Sequence, residues 1–145
     1  FGLGAAIGAK IANPDKTVVN IAGDGSFHMN LTELATAAAY HVPIVELILN
    51  NEVLGMVRQW QKLFYDNRFS QTDVDTTTNF PALAEAFGLK AYTISTADEV
   101  EPVLRDALAQ TGPVLIDCHI DRDINVLPMV PAGASVESPI LEMDN

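Results

Sequence analysis

Two short apolar runs set the frame of this chain. Thr17 to Ala22 and Ile44 to Leu49 are rich in β-branched and aliphatic residues, the composition of strands covered on both faces of a parallel sheet. Between them Leu31, Leu34, Ala35 and Ala38 recur at helical spacing, so Leu31 to Tyr40 reads as a helix ended by His41-Val42-Pro43. Asn30-Leu31-Thr32-Glu33 at its start has the form of a capping box. Strand, helix and strand make a βαβ unit, whose right-handed crossover sets the strands parallel. The alternation continues with an amphipathic helix over 53–65, a polar threonine-rich loop over 70–79 and a short helix over 81–87. A strand over 91–95, a helix over 97–110 and a strand over 113–120 follow. Upstream, residues 3–12 read as a helix with Gly4, Ala5, Gly8, Ala9 and Ala12 on one face, small enough to lie close against a sheet or helix. The fold class is therefore α/β, a parallel sheet flanked by helices over residues 1–120. A proline-bearing tail, 121–145, is laid over the body.

Composition narrows the partners. The chain has 145 residues, 48% of them hydrophobic, which suits one globular domain with a core. Lys+Arg 8 against Asp+Glu 19 gives a formal net charge of -11, a poor match to nucleic acid or an anionic membrane surface. No apolar stretch is long enough to span a bilayer. An anionic cofactor would need a metal ion and backbone N–H groups to bind here. Cys118 is the single cysteine, so no internal disulfide forms, and a reducing, cytoplasmic compartment is expected. The chain starts at Phe1 inside the first helix without an initiator Met, and reads as a piece of something longer, truncated at its N-terminus.

The candidate chemistry lies where the first two strands end. Gly23-Asp24-Gly25 follows the first and Asn50-Asn51 the second. Each alone is a common turn former. Together, on neighbouring parallel strands, they place hard oxygen donors at the crevice where such sheets bind ligands. Gly25 would let backbone approach a phosphate, and Ser26 and the residues after it would point N–H groups at an anion. Asp24 and the Asn51 amide, with the Val53 carbonyl, would hold Mg²⁺ bridging diphosphate oxygens. Elsewhere the bland reading is favoured. Cys118 is a core thiol, His41 a partner of a helix end, and His28 a partly exposed helix residue with a phosphate contact as the alternative. Arg58 and Arg68 are surface or interface charges, and one Cys with three scattered His makes no zinc site.

Gly23-Asp24-Gly25 with Asn50-Asn51 resembles the thiamine-diphosphate-binding motif, which many thiamine enzymes share. Longer stretches resemble the catalytic (large) subunits of acetolactate synthase, also called acetohydroxyacid synthase: Gly23 to Asn30, Glu33 to Ala37, and Asn50-Asn51-Glu52-Val53-Leu54-Gly55-Met56-Val57-Arg58-Gln59-Trp60-Gln61. Leu63-Phe64-Tyr65 and Val126-Leu127-Pro128-Met129-Val130-Pro131-Ala132-Gly133 do the same. The resemblance spans essentially the whole chain as a C-terminal, diphosphate-binding domain. It implies a carboligation in which pyruvate loses CO₂ and its two-carbon remainder joins a second 2-keto acid. The product would be 2-acetolactate or 2-aceto-2-hydroxybutyrate, on the route to branched-chain amino acids. It implies thiamine diphosphate and Mg²⁺ as cofactors, with FAD bound mainly outside this stretch, and an activating glutamate in an N-terminal domain this chain does not contain. Gly23, Asp24, Gly25, Ser26, Asn30, Asn51, Leu54, Gly55 and Met56 would bind cofactor, and Met56, Val57 and Trp60 would line the substrate pocket. A homodimer or homotetramer, with a possible regulatory small subunit, is implied, and the tail would cover the active-site side. The alternatives are a related thiamine-dependent 2-keto acid decarboxylase, oxidase or carboligase, a non-catalytic α/β interaction module, and a flavodoxin-like or nucleotide-binding domain. The last is weakened by the lack of a glycine-rich fingerprint.

Overall fold

A computed structural model describes residues 1–73 and 77–142. Its helices and strands are α1 (Gly2–Ala12), β1 (Val19–Gly23), α2 (Asp24–His28), α3 (Leu34–Ala39), β2 (Val45–Asn50), α4 (Gly55–Phe64), α5 (Phe80–Ala86), β3 (Lys90–Ile94), α6 (Ala97–Leu108) and β4 (Val114–His119), with a 3-10 turn at Leu31–Glu33. The chain divides into two compact units: Phe1–Glu52 with Asp75–Ile120, and Val53–Val74 with Asp121–Asn145. Residues 53–73, grouped with the sheet in the sequence reading, thus cluster with the tail.

The first unit is built on one four-stranded parallel sheet, in the order β1-β2-β4-β3. Ala22, Ile48, Leu115 and Ala91 share one face and pack against Leu3, Ala6 and Ile7 of α1, Phe27 of α2, Leu34 and Ala37 of α3, and Phe80 and Ala84 of α5. On the other face Val45, Ile94, Val114 and Ile116 pack against Ala107 of α6, with Val103, Leu104 and Cys118 at the margin. Cys118 is therefore the partly buried core thiol expected.

Three local expectations change. The small-residue face of α1 is exposed at Gly4, Ala5, Gly8, Ala9 and Ala12, and the helix packs through Leu3, Ala6 and Ile7. Burial area favours the larger side chains, which displace the small face from the core. β1 is not covered on both faces: as an edge strand it leaves Ile21 64% exposed and Val19 exposed beside it. Asn30 makes no side-chain cap for the Leu31–Glu33 turn. A true capping box occurs at Thr96, where the Ser95 and Thr96 N–H groups donate to Glu99 Oε2 at 2.7 and 3.0 Å.

The second unit carries α4 and the tail, joined by polar contacts. Gln59 is its buried helix residue, 3% exposed. It accepts from the Val126 N–H at 2.7 Å and donates to the Val126 carbonyl at 3.0 Å and to Met129 Sδ at 3.4 Å. Arg58 is no free surface charge: it pairs with Asp123 at 2.9 Å and lies 3.9 Å over the Phe69 ring. Arg68 stays exposed, 3.8 Å from Asp66.

Candidate functional site

The register puts Gly23 opposite Leu49, so the ends of β1 and β2 are level and their following loops leave the sheet together. The backbone turns from extended at Gly23 directly into α2, making Asp24 the first residue of that helix. No left-handed glycine is needed here: Gly88 and Gly133 hold the positive-φ glycine positions among the described residues. Asp24 is 3% exposed. Burial pushes its pKa above the ordinary carboxylate value, while the backbone at Gly25, at Asp24 itself and at Glu52, and the nearby His28, pull the other way. The Glu52 N–H belongs to the peptide that joins Asn51 to Glu52, so the loop after β2 passes near the Asp24 carboxylate.

Gly23 and Gly25 are half-buried around Asp24, Ser26 is exposed and Asn30 half-buried. Ser26 and Asn30 also line a small cavity of about 40 Å³ with Gly2, Asn20 and Glu46. His28 bonds Thr78 Oγ1 at 3.1 Å and stacks near the Phe80 ring. Val53, Leu54, Gly55, Met56, Val57 and Trp60 belong to the second unit. There Val53 is buried and bridged to Asp73, and the Leu54 N–H donates to the Thr72 carbonyl at 2.7 Å. Met56, Val57, Trp60 and Phe64 lie on exposed helix surface, Trp60 at 52%. The apolar stripe of α4 is thus not core in this chain, and the polar Gln59 is.

Sequence reasoning missed two polar groups on the sheet. Asn50 Nδ2 donates to Asp117 Oδ1 at 3.0 Å, and His119 Nε2 lies 3.2 Å from Asp117 Oδ2. These residues, with Glu52, Thr93 and Thr78, line a crevice of about 430 Å³ at the carboxyl ends of β2, β4 and β3. Glu46 is the other, buried on β2 under α1 and α2. The signal was present in both cases as a single carboxylate inside an otherwise apolar strand.

Among the described residues no group of three His, Cys, Asp or Glu is placed to hold a metal. One buried carboxylate beside an asparagine-bearing loop is a different donor set. It suits a hard cation that takes its remaining oxygens from a phosphate ligand.

Residues 1–118 match the family described as thiamine pyrophosphate enzyme, C-terminal TPP binding domain, and the chain belongs to that family. Its Asp24 turn and parallel sheet are accordingly parts of a cofactor-binding domain. Among named relatives, it is 47% identical over 136 residues to the acetolactate synthase large subunit of Porphyra purpurea, covering 93% of this chain and 23% of that protein. It is 47% identical over 142 residues to the acetolactate synthase isozyme 2 large subunit of Escherichia coli (strain K12), covering 98% of this chain and 26% of the relative. The chain spans about a quarter of the length of these relatives. A solved structure, the thiamine diphosphate-dependent 4-hydroxybenzoylformate decarboxylase of Rhodococcus jostii RHA1, is similar with a TM-score of 0.76 and 36% identity, over 83% of this chain and 23% of that one.

Proposed function

We propose that this chain is the diphosphate-binding part of a Mg²⁺-dependent acetolactate synthase catalytic subunit, joining pyruvate to a second 2-keto acid in branched-chain amino acid synthesis. One observation supports the reading: the ends of β1 and β2 are level, and the buried Asp24 carboxylate lies where the Glu52 backbone of the following loop acts on it. Identity to acetolactate synthase large subunits over nearly the whole chain supports the same assignment.

In this reading Asp24, the Asn51 amide and the Val53 carbonyl hold Mg²⁺, while Gly23, Gly25, Ser26 and Asn30 receive the diphosphate. The residues present fit that role, because a desolvated carboxylate favours a cation partner. The metal clamps the diphosphate, and the cofactor when bound supplies the electron sink that lets a 2-keto acid lose CO₂. The chain's own work is to bind and orient. The N–H groups at Gly25 and Glu52 fix the Asp24 carboxylate, and the carboxylate fixes the metal. Leu54, Gly55 and Met56 contact the cofactor, and Met56, Val57 and Trp60 bound the acceptor pocket and exclude water. The activating glutamate, FAD and the homodimeric or homotetrameric assembly, with any regulatory subunit and a cytoplasmic location, belong to the complete protein in this proposal.

The test is titration of thiamine diphosphate on the full-length protein with and without Mg²⁺, followed by product analysis on pyruvate. Magnesium-dependent binding and acetolactate are expected. Binding that ignores Mg²⁺ removes the metal assignment. The similarity to a 4-hydroxybenzoylformate decarboxylase favours a second reading, a thiamine-dependent 2-keto acid decarboxylase. Aldehyde in place of acetolactate would select it.

A further inference from the structure

Glu46 stands on β2 with neither a catalytic task nor a cationic side chain to pair with. It is 1% exposed, and both carboxyl oxygens face a single donor, Asn20 Nδ2, at 2.9 and 2.8 Å. The cavity in front of it has walls from α1 (Gly2, Leu3), β1 (Asn20, Ala22) and α2 with its following turn (Ser26, Phe27, Asn30). Those walls carry no titratable side chain. The arrangement is tight: a Cβ on Gly2 would lie 2.6 Å from Oδ1 of the Asn20 amide whose Nδ2 donates to Glu46. At about 40 Å³ with several polar walls, the cavity has room for a water that connects the carboxyl to solvent protons.

Ser26 and Asn30 form one wall of this cavity and, in the function proposed above, receive the cofactor's diphosphate on their other side. A diphosphate keeps a net negative charge beside one Mg²⁺, and a carboxylate buried behind it raises the energy of the bound state, a repulsion poorly screened in a low-dielectric interior. Adding one proton removes it.

We propose that Glu46 takes up a proton from solvent when the diphosphate binds, making the Asn20–Glu46 pair a charge-balancing site behind the cofactor turn. The carboxylate oxygen gains the proton, no other bond changes, and the reverse occurs on release. Burial, which already pushes Glu46 up to about 7, places the exchange near neutral pH. By reciprocity, cofactor affinity falls as pH rises through and above that range, by at most about tenfold per pH unit.

The inference rests on the assignment of Ser26 and Asn30 to the diphosphate, and the experiment separates the two. Thiamine diphosphate is titrated calorimetrically into full-length protein at saturating Mg²⁺ near pH 7, in two buffers of different ionisation heat. The wild type is expected to take up about half a proton more than Glu46→Gln, the share exchanged by a group half-titrated at that pH. Affinity above neutrality should decline more steeply in the wild type than in the variant. Equal proton uptake in the two proteins overturns the proposal. If the variant does not fold, infrared difference spectra of the wild type with and without cofactor decide. A gained protonated-carboxyl band supports the proposal, and its absence overturns it. Should Asp24→Ala still bind cofactor with undiminished Mg²⁺ dependence, the functional reading fails and this proposal with it. If Asp24→Ala loses binding while the proton counts match, the Glu46 proposal alone fails.

Discussion

Asp24 and Glu46 are both buried carboxylates whose pKa burial raises, and what opposes that rise differs. Around Asp24 the backbone at Gly25, Asp24 and Glu52 favours the ionised form that a cation needs. Asp24→Ala in the full-length protein should weaken Mg²⁺-supported cofactor binding by at least about 100-fold, the upper end of what even outer-shell changes cost a metal site. Unchanged affinity in a calorimetric titration would take Asp24 out of the site. Glu46 has one side-chain donor, and burial, opposed by the Asn20 amide, lifts it from 4.5 to about 7. With the folded value raised, the native state keeps a proton that the unfolded chain has lost. Stability from this group is full below about pH 4.5, declines as pH rises from 4.5 to 7, and is gone above. Glu46→Gln should therefore exceed the wild type by up to about 3 kcal/mol in urea unfolding at pH 8, and match it at pH 4. A constant difference across that range would show that Glu46 does not titrate on folding. Trp60, half out of the surface of α4, has little packing to lose. Trp60→Leu should change acceptor preference or inhibitor sensitivity with a stability change near about 0.5 kcal/mol. Identical preference would return Trp60 to a bystander's role.

At the scale of elements, polar residues fasten what apolar ones usually do. Helix α4 shows Met56, Val57, Trp60 and Phe64 at its surface and buries Gln59, whose amide holds the Val126 peptide at both its N–H and its carbonyl. Gln59→Leu strands those groups and should cost about 1–3 kcal/mol. The loss should appear as faster amide exchange over 124–130, and unaltered exchange would deny Gln59 that role. The sheet is held more conventionally. Ile48 and Leu115 are fully buried and pair α1, α3 and α5 to the strands. The Thr96–Glu99 box starts α6, while Asn79 Oδ1 accepts from the Ala82 N–H at 2.9 Å to start α5.

For the whole molecule, the pattern of exposed apolar residues matters most. The β1 side of the sheet shows Val19 and Ile21, and α4 shows its full apolar stripe. Surfaces of this kind mark contacts in larger assemblies. The 145-residue chain by itself should bind a hydrophobic dye such as ANS strongly and hold thiamine diphosphate at least about tenfold more weakly than the full-length protein, because preorganisation by missing partners is lost. Equal affinity in the two would mean that the diphosphate site is complete within this stretch. The relatives, about four times as long, supply the material for such covering.

The α/β alternation and the parallel pairing of β1 with β2, with their ends level, were legible in the residues, since each follows from short-range periodicity and a connection rule. The cofactor class was legible too, from the words around those strand ends. The facing of elements was not. The small face of α1 turned outward, Asn30 made no side-chain cap, and Gln59 went inside while Trp60 stayed out. Those outcomes depend on which neighbour offers area or a hydrogen bond, and neighbours are chosen across the fold. The same holds for Glu46, whose carboxyl looks ordinary in a string of letters. Only three-dimensional packing strips it of water and leaves it one amide for company.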